Sequence, residues 1–211
     1  MKKNVFDLNS MMQLAMLICI QFVMKAVGLG SVPVGPLYMS FLTLPIAVGA
    51  IMIGPEAGAI LGGVFGLVSF KDALTGGSLM TSTLLAVNPF LTFVLCVLTR
   101  VLMGYLTGII FRAARNVDRT HTWSFFVGAV AAPLLNTAFF MGFLVLAFYK
   151  TDYVQNLVVK YGATNPFMFI ALMVGIQALV EAGVCGVLGG AIVKALHSVL
   201  GLRPAAAGTA R

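Results

Sequence analysis

Charge is what this chain has least of. Lysine, arginine, aspartate and glutamate make up 9 % of its 211 residues. Soluble domains carry about 25 %, so a water-facing surface cannot be covered. Six residues are acidic, two are histidine, three are cysteine and one is tryptophan. These shortages remove whole classes of chemistry. A metal centre wants clustered His, Cys or carboxylate ligands, and a serine hydrolase wants a histidine beside its nucleophile. His121 and His197 instead fall near expected cytoplasmic helix ends, and Cys19, Cys96 and Cys185 stand singly in apolar runs, as packing thiols do. No G-x-x-x-x-G-K-[ST] phosphate loop occurs, which rules out ATP hydrolysis by that route. The chain reads as a non-enzyme with no catalytic residue, metal or cofactor.

Hydrophobic residues, by contrast, reach 60 % and the mean hydropathy is +1.04. The apolar runs are long and continuous, unlike the alternating strands of about ten residues that build a membrane barrel. Spanning helices of about 20 residues would use about 120 residues in six passes and leave short loops. The expectation is an all-α integral membrane bundle of six transmembrane helices, with N- and C-termini cytoplasmic. It forms one domain over residues 1–202, and a tail over 203–211 is expected to be disordered. The helices are predicted at 10–28, from 36–42 to 53, and at 55–70, 84–112, 121–149 and 166–200.

The net charge of +7 is not gathered into a basic patch with interleaved aromatics, so no nucleic-acid partner is implied. It reads better as a topology signal. With the N-terminus inside, Lys2, Lys3, Arg112, Arg115, Arg119, Lys194, Arg203 and Arg211 face the cytoplasm, eight in all. Lys25, Lys71, Lys150 and Lys160, four in all, face outward. The first apolar run resembles a signal peptide, but Asp7 interrupts its charged start and no small-x-small cleavage site follows, so the segment is expected to be retained.

Gly54, Gly58, Gly62 and Gly66 recur every fourth residue through the third helix, which places them on one face for close helix packing. Gly104 and Gly108 in the fourth helix, and Ala182, Gly186 and Gly190 in the sixth, repeat the device. Ile53-Gly54-Pro55-Glu56 reads as a tight turn, with Glu56 a cap at the positive helix end.

Polar residues inside lipid spans are costly unless they are partnered or face a cavity. Arg100, Asn136 and Glu181 each fall near the middle of a predicted helix. Gln177 is one turn outward of Glu181, and Asn88 is near the outer end of the fourth helix. Two readings stay open for Arg100 and Glu181: a solute pocket, or an ion pair locking two helices together. Three outer segments, 25–40, 71–83 and 150–165, carry the Gly, Pro, hydroxyl and Tyr content of possible flaps over such a pocket.

At this point several stretches resemble a known family. Gly35-Pro36-Leu37-Tyr38, Leu44-Pro45-Ile46-Ala47-Val48-Gly49-Ala50, Ile53-Gly54-Pro55-Glu56-Ala57-Gly58 and Gly62-Gly63-Val64-Phe65-Gly66-Leu67 look like the S components of energy-coupling factor (ECF) transporters. Arg100-Val101-Leu102-Met103-Gly104, Asn136-Thr137 and Glu181-Ala182 are similar to the pantothenate-transporter-like branch. The resemblance covers roughly residues 10–200. It implies a multi-pass protein of the bacterial cytoplasmic membrane that captures a vitamin outside. The vitamin is then delivered with a shared transmembrane subunit and two cytosolic ATPases, as in ABC importers. The resemblance also implies a first-loop gate, here Gly35, Pro36 and Tyr38. An A-x-x-x-A docking pattern on the first helix reads here as Ala15 and Cys19, with the second alanine replaced. Asn88, Arg100, Asn136, Gln177 and Glu181 are the expected solute-binding residues, and pantothenate suits their carboxylate, hydroxyl and amide complement. A stand-alone secondary carrier would show inverted repeats and broken helices, and no matching second half is seen. A non-transport scaffold would explain the glycines but would not require the Arg, Asn and Glu set.

Overall fold

The computed structural model describes residues 7–30, 32–34, 37–118 and 123–200. Gly35, Pro36 and the tail 203–211 lie outside the described residues, as do the side chains of Tyr38 and Gln177.

The described chain is helical apart from one small ribbon. α1 spans Leu8–Ala26, and β1 (Val32–Val34) and β2 (Leu37–Met39) then pair antiparallel with Pro33 opposite Tyr38. α2 (Thr43–Met52) and α3 (Pro55–Thr75) follow, then α4 (Leu79–Val87), α5 (Pro89–Phe93), a π-helical turn over Val94–Leu98 and α6 (Thr99–Val117). α7 (Trp123–Phe148), α8 (Asp152–Lys160) and α9 (Pro166–Leu200) complete the order. Among the described residues, four helical segments are long and apolar enough to cross a membrane: Leu8–Ala26, Pro55–Thr75, Pro89–Val117 and Trp123–Phe148. α9, at 35 residues, is longer than any of them.

Two predicted helices are corrected. The second does not begin in the 36–42 stretch, because β2 occupies 37–39 and α2 is only 10 residues long. At 1.5 Å per residue that is about 15 Å, half a hydrocarbon core. Nine of its residues are buried, so α2 is wrapped by the bundle. The fourth helix is also not continuous. Asn88 is extended, its Oδ1 accepts the Leu91 N–H at 3.1 Å, and Pro89 occupies the first helical position of α5. Proline lacks the N–H that an unbroken helix would need there, so α4 is a separate helix before the long segment.

The local signals at α3 act as expected. Gly54 has φ +143, a conformation side chains rarely permit, and Pro55 starts the helix with Glu56 exposed in its first turn. Gly76, at φ +76, closes the other end.

α3 lies closest to α6, and the glycines are the reason. A Cβ on Gly58 would strike the Gly104 carbonyl oxygen, and one on Gly62 would strike the Arg100 carbonyl oxygen. The two backbones touch along much of their length. In the last helix, a Cβ on Gly186 would come 2.8 Å from Val130 Cγ2 on α7.

Three apolar clusters fill the bundle. One surrounds Leu84, Leu144, Phe148 and Phe169, a second Ile46, Leu61, Phe65 and Met103, and a third Ile51, Phe111 and Phe125. The polar site lies between the first two.

Candidate functional site

The chain directions bring the end of α1, the hairpin, the end of α3 and the α7–α9 connection to one end of the bundle. A cleft of about 830 Å³, counted out to the solvent at its mouth, opens near this hairpin end. Its apolar wall draws on both neighbouring clusters, with Leu42 and Phe65 on one side and Met80, Met141 and Val174 on the other.

The polar groups come from six helices, Thr81 of α4 among them. Lys25 from α1, Asp72 from α3, Arg100 from α6, Asn136 and Thr137 from α7 and Glu181 from α9 all line the cleft. Arg100, Asn136 and Glu181, from three separate predicted spans, thus meet in one place. Asn88 is not among the lining residues, because its side chain is spent on the α5 cap.

Arg100 is 7 % exposed and Glu181 2 %. Among the described residues they make no direct ion pair with each other. Glu181 Oε1 instead accepts a hydrogen bond from Thr43 Oγ1 at 3.3 Å, across 138 residues of sequence. Arg100 Nη1 donates to the carbonyl oxygens of Leu95 (3.3 Å) and Cys96 (3.0 Å) in the π-helical turn. Its Cζ lies over the Phe65 and Phe140 rings. Arg100 Nε and Asn136 Oδ1 are both buried without a hydrogen-bond partner. Leaving such a group unmet costs about 1–3 kcal/mol. Both belong to residues that line the cleft.

Among the described residues an ion pair does form between Lys25 and Asp72, at 2.5 Å, joining the ends of α1 and α3. Both residues fall in outer segments expected as flaps, 25–40 and 71–83, and the sequence marks neither as part of the site. Their one sequence signal is position: each lies near a helix end, a few residues before a glycine of positive φ, Gly28 and Gly76. Beside them the Ser40 hydroxyl donates to the Gly30 carbonyl at 3.0 Å, and a Cβ on Gly30 would come 2.8 Å from Lys25 Cδ. Both partners of the ion pair are partly exposed, at 26 % and 21 %. Lys25→Ala or Asp72→Ala should therefore lower stability by only about 1 kcal/mol. The double swap Lys25→Asp, Asp72→Lys should recover most of that loss in thermal melts; no recovery would mean the pair contributes nothing.

Residues 9–193 match the family described as "ECF transporter, substrate-specific component". The chain belongs to this family. A solved structure titled for ThiT from Listeria monocytogenes shares the fold, with a TM-score of 0.60 over 87 % of this chain and 92 % of that one. Sequence identity to it is 16 %, so that likeness speaks for architecture alone. No curated protein matches the sequence. The substrate-specific component is a transporter subunit, and its several long apolar helices make it a multi-pass membrane protein. Among the described residues it holds no group of three or more His, Cys, Asp or Glu that could bind a metal ion.

Proposed function

We propose that this S component captures a small water-soluble vitamin bearing a carboxylate, with pantothenate the first choice, in the cleft at its hairpin end. The observation that carries the reading is the buried Arg100, whose Nε has no partner and which shares the cleft with the unpartnered Asn136 Oδ1. A cation held at membrane depth with donors to spare calls for an anion, and an amide oxygen beside it calls for a hydroxyl or N–H. Pantothenate offers a carboxylate, an amide and two hydroxyls. Glu181, Gln177 and the hydroxyls around the mouth would complete its shell, with Gly35, Pro36 and Tyr38 in the gating loop. Asn88 would act through the α4–α5 break.

In this reading the hairpin end faces outward, six segments cross the bacterial cytoplasmic membrane and both termini are cytoplasmic. α2 and the adjoining ribbon serve as the second crossing. Energy comes from a shared transmembrane subunit and two cytosolic ATPases of the ABC type. The chain itself carries no cofactor. The test is a thermal-stabilisation screen of purified protein against pantothenate, riboflavin, folate, thiamine and biotin. Pantothenate at 100 times its Kd should add about 2.7 kcal/mol. Stabilisation by another vitamin and none by pantothenate would refute the solute assignment.

Docking on the shared subunit would use α1. Its Met12, Met16 and Cys19 are exposed, and Ala15 and Cys19 are small enough for a close helix approach. Ala15→Trp should abolish co-purification with the energising subunits and leave vitamin binding intact. Undiminished complex formation would remove Ala15 from the interface.

A further inference from the structure

The reading of the cleft as a vitamin site leaves open how Arg100 would hold an anion, and the geometry around that side chain answers it. Among the described residues, hydrogen bonds to the guanidinium run through Nη1 alone: the Leu95 and Cys96 carbonyls take that nitrogen, while Nε stays buried and unmet. Cζ is 4.6 Å from the centroid of the Phe65 ring and 4.9 Å from that of Phe140, so two aromatic faces from α3 and α7 cover the group. Gly62 on α3 lies against the Arg100 backbone carbonyl, which fixes the base of the side chain close to α3. With the ring contacts and the Nη1 corner occupied, the edge carrying Nε is what remains for a ligand.

We propose that the Nε edge of Arg100 is an in-plane, two-pronged receptor for a solute carboxylate, and that Phe65 and Phe140 are positioning residues that hold the guanidinium plane for it. This rests on the vitamin-site reading above and adds the ligand group and its orientation. A carboxylate meets such an edge with two parallel hydrogen bonds, from Nε–H and one Nη2–H. A hydroxyl or a primary amide offers a single acceptor there and leaves one buried donor unpaired, which is the situation in which binding sites discriminate most strongly. A lysine, a point charge without the planar fork, cannot substitute. Leucine at either phenylalanine keeps an apolar wall but lets the guanidinium tilt.

The test uses pairs of probes that differ at the carboxyl group: pantothenate and pantothenol, biotin and biotinamide, nicotinate and nicotinamide. Affinities are measured by calorimetry on the full-length purified protein, with riboflavin and thiamine as vitamins lacking a carboxylate. The expected result is that one acid binds at least about 100-fold more tightly than its uncharged partner. That preference should fall to a few-fold in Phe65→Leu and Phe140→Leu and be retained in Phe140→Tyr, which preserves the ring. Thermal melts of each variant confirm that it is folded. If the pantothenate pair is silent while another acid binds with this preference, the choice of pantothenate fails and the receptor stands. If no acid is preferred in any pair, or if riboflavin or thiamine is the bound vitamin, the receptor is overturned while family membership is untouched. An unchanged acid preference in both leucine variants overturns the role of the rings, as does loss of all binding in Phe140→Tyr along with the leucine variants.

Discussion

Arg100→Gln should weaken binding of the captured vitamin by about 100-fold or more, while the empty protein melts no lower than the wild type. The two halves of this result have separate causes. In the empty protein a buried arginine is expensive, roughly 2.5–3.5 kcal/mol at mid-membrane on insertion scales. The two bonds from Nη1 and the two ring contacts offset part of that cost, and the unmet Nε adds to it. Replacing the charge by a neutral amide relieves the desolvation, as replacement of buried ionic groups often does. In the loaded protein the same change removes a charge-assisted pair, worth about twice a neutral hydrogen bond. Calorimetry on the folded variant measures the first half and a thermal melt without ligand the second. Unchanged affinity in folded protein would remove Arg100 from the site. A large drop in the ligand-free melt would make it a structural residue instead.

Gly104→Val should prevent the bundle from assembling at all. A Cβ at this position would run into the Gly58 carbonyl oxygen, and the reciprocal contact holds from Gly58 towards Gly104. Neither neighbour is the movable end of a side chain. α3 would have to be pushed off α6, opening the contacts at Gly62, Gly66 and Gly108 as well. Overpacking that shifts a backbone costs about 1–3 kcal/mol at one site, occasionally more; here a whole helix contact is levered apart, so the loss should exceed 3 kcal/mol. The readout is the yield of monodisperse protein and its melting temperature. Gly63→Ala is the control, because its Cβ would lie 3.5 Å from Val101 Cγ2, an ordinary contact, and it should change stability by less than about 0.5 kcal/mol. Normal assembly of Gly104→Val would show that the helices are not held by backbone contact.

Much of the bundle was readable in advance because lipid imposes strong local rules. A glycine every fourth residue from Gly54 to Gly66 admits few uses other than close helix contact, and a polar side chain inside a long apolar run must find a partner or a cavity. Those two rules identified the α3 packing face and brought forward Arg100, Asn136 and Glu181, which do line one cleft. The residues that went unread follow no such rule. Phe65 and Phe140 are ordinary lipid-span aromatics until the fold places them over Arg100. Lys25 and Asp72 lie at helix ends where charges are common, and nothing in either stretch indicates that the two are partners. Asn88 has a local signal of its own: the proline after it makes it a helix cap, its Oδ1 accepting the Leu91 N–H.

The sequence by itself determined the solvent this protein lives in, where its chain turns and which polar groups had to be accommodated within the apolar spans. All of these follow from the cost of leaving charge or backbone unsatisfied in lipid, a cost each residue bears wherever its neighbours lie. Only the tertiary structure decided that Arg100 turns to two aromatic rings rather than to Glu181, that Glu181 takes Thr43, and that Lys25 closes on Asp72. Those choices depend on which faces of α1, α3, α6, α7 and α9 meet, and the depth of a residue along its own helix does not specify the faces around it.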